Sequence, residues 1–194
     1  MSERLNIVVV EKDPDRARMI VDGLLELGDH KIHIISEETA LARNVAERKP
    51  DIVLIDLTNP SRDTLEELAI ATSPLERPVA IFVDRSDRQL TRAAIEAGVS
   101  AYVVGGLQPE RLHPILDAAI TRFHMFHRMR TELAATKRAL EERKTIDRAK
   151  GILMKARGLD EEGAYALLRK AAMDQGKKVI QVAEALVTAS ELLS

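Results

Sequence analysis

The sequence predicts an α/β chain in two parts: a five-stranded parallel sheet wound with helices, then a long coiled-coil-type helix leading into a three-helix module. Three features carry this. Short apolar runs rich in β-branched residues alternate with helical patterns in the first half. From Gln108 and Pro109 onward apolar residues recur at three- and four-residue steps instead, and the charge changes sign between the halves.

The strands read as Asn6 to Glu11, Lys31 to Ser36, Asp51 to Asp56, Val79 to Asp84 and Ala101 to Gly105. The first, third and fourth are apolar nearly throughout, as strands covered on both faces must be, whereas KIHIIS alternates like a strand nearer an edge. Between them, Asp15 to Leu27 stops at Gly28 and Arg88 to Ala97 stops at Gly98, both read as glycines just past a helix end. Leu112, Leu116, Ala119, Phe123, Phe126, Met129 and Leu133 then mark one long helix. Leu133 and Leu140 continue a seven-residue spacing among charged neighbours, which predicts a short coiled coil able to pair two copies; Thr136 and Arg143 weaken its seam. Gly158 closes this helix, Asp160 caps a second running to about Gln175, and Gly176 ends that before a third from Val179 to Leu193. The module's expected core is Ile146, Ile152, Leu153 and Met154 from the first helix, Ala164, Leu167, Leu168 and Ala171 from the second, and Ile180, Ala183, Leu186 and Val187 from the third. The expected divisions are residues 1–118 for the α/β domain, 119–145 for the connecting helix and 143–194 for the module.

At 194 residues, 45% apolar and 31% charged, the chain has the composition of a soluble globular protein with one full core and a smaller helical unit. It has no cysteine, which excludes a disulfide framework and a thiolate metal site. No run approaches the roughly 20 apolar residues of a membrane-spanning helix, and the first apolar run is too short for a secretory signal. A cytoplasmic protein without a membrane partner is expected. The net charge of −2 hides an asymmetry: residues 1–120 carry 14 Lys and Arg against 21 Asp and Glu, residues 121–194 carry 15 against 10. An acidic half repels a polyanion and a basic half attracts one, so nucleic acid is expected at the C-terminal part, the plain alternative being a solvated helical surface. No nucleophile–base set or phosphate-cradling glycine loop is present, so no enzyme is expected. His124 and His127 share a helix face but lack further ligands, and no metal site is expected there.

In an open α/β sheet ligands gather where the strands end, which singles out Glu11, Lys12, Asp13, Asp56, Val83, Asp84 and Gly105. VVVEKDPDRA, DIVLIDLTNP and AGVSAYVV, in this order and spacing, resemble the receiver domain of bacterial response regulators. The resemblance implies a flavodoxin-like (βα)5 fold and two-component signalling. It also implies a pocket in which two acidic residues after the first strand hold Mg²⁺ and an Asp after the third strand accepts phosphate, with a hydroxyl residue after the fourth and a lysine after the fifth. A phosphorylated carboxylate needs a divalent ion to neutralise it and an ammonium on its oxygens. Asp56 stands at the acceptor position and Glu11 at the first acidic one. Lys12 replaces the second acid, leaving a degenerate pocket of Glu11, Lys12 and Asp13; Val83 stands where the hydroxyl belongs and Gly105 where the lysine belongs. Phosphorylation of Asp56 is therefore not expected, nor Mg²⁺ or any other cofactor. The Lys12 ammonium is expected to pair with Asp56 and hold the domain in one state.

The stretch IDRAKGILMKARGLDEEGAYALLRKAAM, followed by VIQVAEALV, resembles the ANTAR family of RNA-binding antiterminators across the whole module. Ala149, Lys150, Gly151, Leu153 and Met154 carry the likeness, with Ala164, Tyr165, Leu168, Arg169, Ala172, Val182 and Ala183. With its receiver-like half and the ending SELLS, the chain resembles the NasT-type regulators of nitrate and nitrite assimilation. The resemblance implies binding to hairpins in leader RNA, which prevents a terminator from forming. It further implies a nitrate- or nitrite-sensing partner protein that sequesters the regulator.

The residues permit RNA chemistry: Lys and Arg neutralise phosphates, and loop bases are read by groups that reach or stack on them. Candidate RNA-binding residues are Lys150, Arg169, Lys170, Arg148, Lys155 and Tyr165, with backbone groups near Ala149 and Gly151. Plainer roles stand beside these: Leu153 and Met154 in the core, Tyr165 at its rim, Gly151 as an allowance for close helix packing. Two other functions remain open. One is a DNA-binding helix-turn-helix, disfavoured because MDQGKKVI does not read as the short turn required. The other is a protein-interaction adaptor without nucleic acid.

Overall fold

The computed structural model describes residues 4–37 and 41–192; Leu193, the end expected for the last helix, lies outside them. The chain divides into two compact units, residues 1–128 and 129–194.

The first unit is a five-stranded, all-parallel sheet: β1 (Asn6–Val10), β2 (Lys31–Ile35), β3 (Ile52–Leu57), β4 (Val79–Val83) and β5 (Ala101–Val104), in the order β2-β1-β3-β4-β5. That is the flavodoxin-like arrangement, and KIHII is an edge strand as its alternation predicts. Helices α1 (Pro14–Leu27), α2 (Leu41–Arg48), α3 (Arg62–Thr72) and α4 (Arg88–Glu96) follow the first four strands, and α5 (Pro109–Arg157) follows the fifth. Strand residues alternate between two cores. Val8, Val53, Ile55, Ile81 and Val83 pack with Leu41, Val45, Leu65 and Leu68 on one face. Ile7, Val9, Leu54 and Phe82 pack with Ile20, Leu24, Leu112 and Leu116 on the other.

Helix starts follow local capping chemistry. The Asp13 side chain accepts from the N–H groups of Asp15 and Arg16, with Pro14 at the first helical position. Asp87 and Asp160 cap α4 and α6 in the same manner. The glycines differ. Gly98 takes φ +93°, as expected, whereas Gly28 is extended at φ 160° and ψ 177° and closes α1 without a left-handed turn. The chain there turns into β2 through a bend at Asp29, where the His30 N–H donates to the Gly28 carbonyl at 2.9 Å.

In the second unit, the C-terminal part of α5 meets α6 (Glu161–Asp174) and α7 (Val179–Leu192) around Ala149, Leu168, Ala183 and Val187. Ala164 and Ala172 are buried as well, so side chains no larger than a methyl group line much of the contact. Two expectations fail. Met154 is 37% exposed rather than core, because α5 turns that face away from α7 while Ile152 and Leu153 face the cluster. The α6–α7 connection is a short turn after all, of residues 175–178. Gly176, at φ +61°, reverses the chain, and the Gln181 side chain accepts from the Lys178 N–H to start α7 at once.

Gly98 offers a direct test of the first unit. A Cβ there would lie 2.6 Å from Leu75 Cδ2 in a left-handed conformation, so Gly98→Ala is expected to lower unfolding free energy by roughly 1–3 kcal/mol. A urea midpoint equal to that of the parent chain would contradict this.

Candidate functional site

At the carboxyl ends of β1, β3 and β4 three carboxylates converge on one cation. Glu11 and Asp56 are buried, and Asp84 follows β4. The cation is Arg16, carried in the first turn of α1. Its Nε and Nη2 donate to Asp56 Oδ2 at 2.9 and 2.8 Å, Nη1 donates to Asp84 Oδ2 at 3.1 Å and Nη2 to Asp84 Oδ1 at 3.2 Å. Nε also lies 3.5 Å from Glu11 Oε2. The expected Lys12–Asp56 pair is thus replaced by Arg16–Asp56. Glu11 turns inward and Lys12, the next residue, is exposed, whereas the capped start of α1 aims Arg16 over the strand ends.

Asp13 also leaves the expected pocket, since its carboxylate is engaged as the α1 cap. Val83 is a buried β4 residue, and the position past that strand belongs to Asp84, not to a hydroxyl. Gly105 lies past β5 as read, and a Cβ on the neighbouring Gly106 would meet Asp84 Oδ1 at 2.9 Å. Arg16 was not singled out in the sequence; the available signal was the Asp-Pro cap that sets a long cation one turn above the strand ends.

The pocket's electrostatics follow from burial. Asp84 chiefly, then Asp56, raise the Arg16 pKa well above its ordinary value against the opposing cost of burial. Burial pushes the Asp56 carboxyl up to about 6; Arg16 opposes the shift and Glu11 adds to it. Asp56 Oδ1 is buried and receives no hydrogen bond.

In the second unit α6 turns Ala164, Leu168 and Ala172 inward, which leaves Tyr165, Arg169 and Met173 along its outer face at four-residue steps, with Lys170 beside them. All four are exposed. Arg148 is paired with Glu191 at 2.7 Å, and Lys155 is exposed near the end of α5. Lys150 does not stand free in solvent: its ammonium lies 2.6 Å from both Asp147 Oδ1 and Glu161 Oε1, its side chain is only 14% exposed, and these pairs raise its pKa. Ala149 is fully buried and, like Gly151, lies inside α5, where the peptide groups bond along the helix and are not available to loop bases. Gly151 serves no close packing, because a Cβ there would meet nothing within 4 Å. It lines a groove of about 570 Å³ with Ile146, Asp147, Lys150, Met154, Glu161 and Tyr165. On α5, Phe126, Met129, Leu133 and Leu140 are all about half exposed. Among the described residues no group of three or more His, Asp or Glu is placed to hold a metal ion, and no helix is long and apolar enough to cross a membrane.

A receiver fold followed by this helical module is the architecture of a response regulator, and comparisons with known proteins narrow the class. Residues 134–187 match the ANTAR domain. The transcriptional regulatory protein PdtaR of Mycobacterium tuberculosis is 30% identical over 181 residues, 93% of this chain and 88% of the relative. The nitrate regulatory protein of Klebsiella oxytoca is 44% identical over 69 residues, 36% of this chain and 17% of that protein. Among solved structures, the BeF3-activated receiver domain of Klebsiella pneumoniae RstA superposes with TM-score 0.51 at 23% identity, covering 59% of this chain and 97% of that one. A receiver domain of a Desulfovibrio desulfuricans diguanylate cyclase gives 0.53 at 19%, covering 63% and 98%; these two likenesses concern the fold alone. The chain belongs to the ANTAR-domain response regulators, the family its C-terminal motif resembles. The full-length relatives are transcriptional regulators.

Asp56 makes the pocket testable by pH. Its folded value near 6 exceeds the unfolded 3.8, so between those values the folded chain holds a proton that the unfolded chain has released. This group therefore favours folding least above about pH 6, and stability falls as pH rises from about 4 to about 6. Asp56→Asn, which keeps Arg16 between Glu11 and Asp84, is expected to raise the melting temperature at about pH 7 and much less at about pH 4. An equal shift at both would contradict the assignment.

Proposed function

We propose that the chain is a transcription antitermination regulator whose C-terminal module binds hairpins in leader RNA, with nitrate and nitrite assimilation genes as targets. The observation that carries this reading is the outer face of α6, where Arg169 and Lys170 stand exposed beside Tyr165 and Met173 within the ANTAR match. Exposed guanidinium and ammonium groups take backbone phosphates, and the neighbouring apolar groups cover a loop base. The nitrate assignment draws on the similarity of this chain, over 69 residues, to the nitrate regulatory protein of Klebsiella oxytoca. The half-exposed stripe Phe126, Met129, Leu133 and Leu140 supports pairing of two copies along α5, and action on transcripts places the protein in the cytoplasm.

The receiver-like domain acts in this reading as a docking domain for a nitrate- or nitrite-sensing partner. Arg16 lies between the carboxylates that would hold Mg²⁺ and donates twice to Oδ2 of Asp56, the residue that a phosphoryl group would need. The pocket thus fits a resident guanidinium rather than a metal ion.

A DNA-binding output is the second reading, favoured by the four-residue turn around Gly176. Filter binding with leader RNA and the matching duplex DNA separates the two. The RNA is expected to bind more tightly. Arg169→Ala and Lys170→Ala should each weaken it by roughly 1–3 kcal/mol and lower the salt slope by about one. Preference for the duplex supports the DNA reading, and retention of neither supports an adaptor. For the receiver, acetyl phosphate or beryllofluoride with Mg²⁺ is expected to change neither mass nor melting temperature; a clear shift of either overturns the docking role.

A further inference from the structure

The groove along α5 and α6 has the wrong charge for a phosphate and the right surfaces for a base. Its 570 Å³ falls within the ~300–1,000 Å³ usual for ligand sites. Ile146, Met154 and Tyr165 supply apolar lining, and Gly151 leaves open space where any side chain would intrude. Glycine weakens a helix interior relative to alanine, and packing does not require it at this position, so the space it leaves is what the residue contributes.

Lys150 is the cation a phosphate would seek, yet two carboxylates already hold it at 2.6 Å. With Glu142 and Arg143 counted, the lining carries three acidic groups against two basic ones. The Asp147 and Glu161 side chains are 52% and 73% exposed, and each bonds Lys150 through one oxygen, so the second oxygen of each can accept a further hydrogen bond. A flat uncharged group with N–H donors on its edge meets these terms.

We propose that the groove receives one unstacked amino-bearing nucleobase, adenine, cytosine or guanine, from a hairpin loop. Its exocyclic amine donates to Asp147 or Glu161 while Tyr165 and Met154 cover its face. Lys150 is then a positioning residue that aims the two carboxylates, and phosphates are left to Arg169 and Lys170. Uracil is refused because two carbonyl oxygens flank its one free N–H and face the carboxylates. This inference rests on the RNA reading above.

The test uses the full chain and a pool of RNA hairpins with a constant stem and a randomised loop, with the retained molecules sequenced. At one loop position uridine should be depleted roughly tenfold by the parent chain. Glu161→Gln combined with Asp147→Asn should reduce that depletion below about twofold while hairpins are still retained, with a salt dependence no weaker than the parent's because Lys150 is released. Gly151→Val, which fills the groove, should abolish the discrimination as well, with circular dichroism showing α5 intact. Retention without discrimination against uridine at any position, or discrimination unchanged in the double variant and in Gly151→Val, would overturn the base pocket alone. Failure of the parent chain to retain any hairpin would overturn the RNA reading itself and this inference with it.

Discussion

Bringing three carboxylates to the carboxyl end of a parallel sheet is unfavourable unless a positive charge sits among them, and in this chain that charge is a side chain. A receiver sheet buried on both faces leaves few polar places, and its strand ends collect Glu11, Asp56 and Asp84 in one of them. Arg16 bonds two of these and lies within ion-pair distance of the third. A guanidinium is planar and carries five donors, so it spans several carboxylates where an ammonium engages them as a point. The arrangement of α1 follows from this need: the Asp13 cap and Pro14 fix where the helix begins, and the beginning fixes where Arg16 points.

The second unit depends on a different economy. Alanines at 149, 164, 172 and 183 bring three helices close together, and the outward face of α6 is free to carry charge. The pairing of Lys150 with Asp147 and Glu161 spans α5 and the start of α6, within reach of the α6 cap at Asp160. One cation therefore joins two elements, and the residues that hold it also shape the groove beside Tyr165.

Much of this was legible in the sequence. Strand positions, the edge character of KIHII, the caps at Asp160 and Gly176 and the long helix follow from local periodicity and turn chemistry, which single residues carry. What escaped depended on direction. Lys12 and Arg16 are both cations near Glu11, and only the inward or outward turn of each, set by where β1 stops and α1 starts, decides which one meets Asp56. Asp84 was legible as a residue at the end of β4, but that its carboxylate meets Arg16 follows only from how the strand ends and the start of α1 come together. Met154 carries an apolar side chain in an apolar pattern, yet the helix presents it to the groove. Lys150 was legible as a cation, but its two acidic neighbours lie three residues before it and eleven after, and only folding brings the second one close.

The alanine seams also govern how the module responds to temperature. Methyl-sized side chains bury little apolar surface for each residue ordered, and heat capacity changes on unfolding scale with the apolar surface exposed. A helix bundle whose seams carry Ala149, Ala164, Ala172 and Ala183 beside Leu168 and Val187 therefore has a flatter stability curve than a bundle of equal size packed by leucine throughout. Its free energy varies less between cold and warm conditions, so the folded fraction of the module changes gradually with temperature.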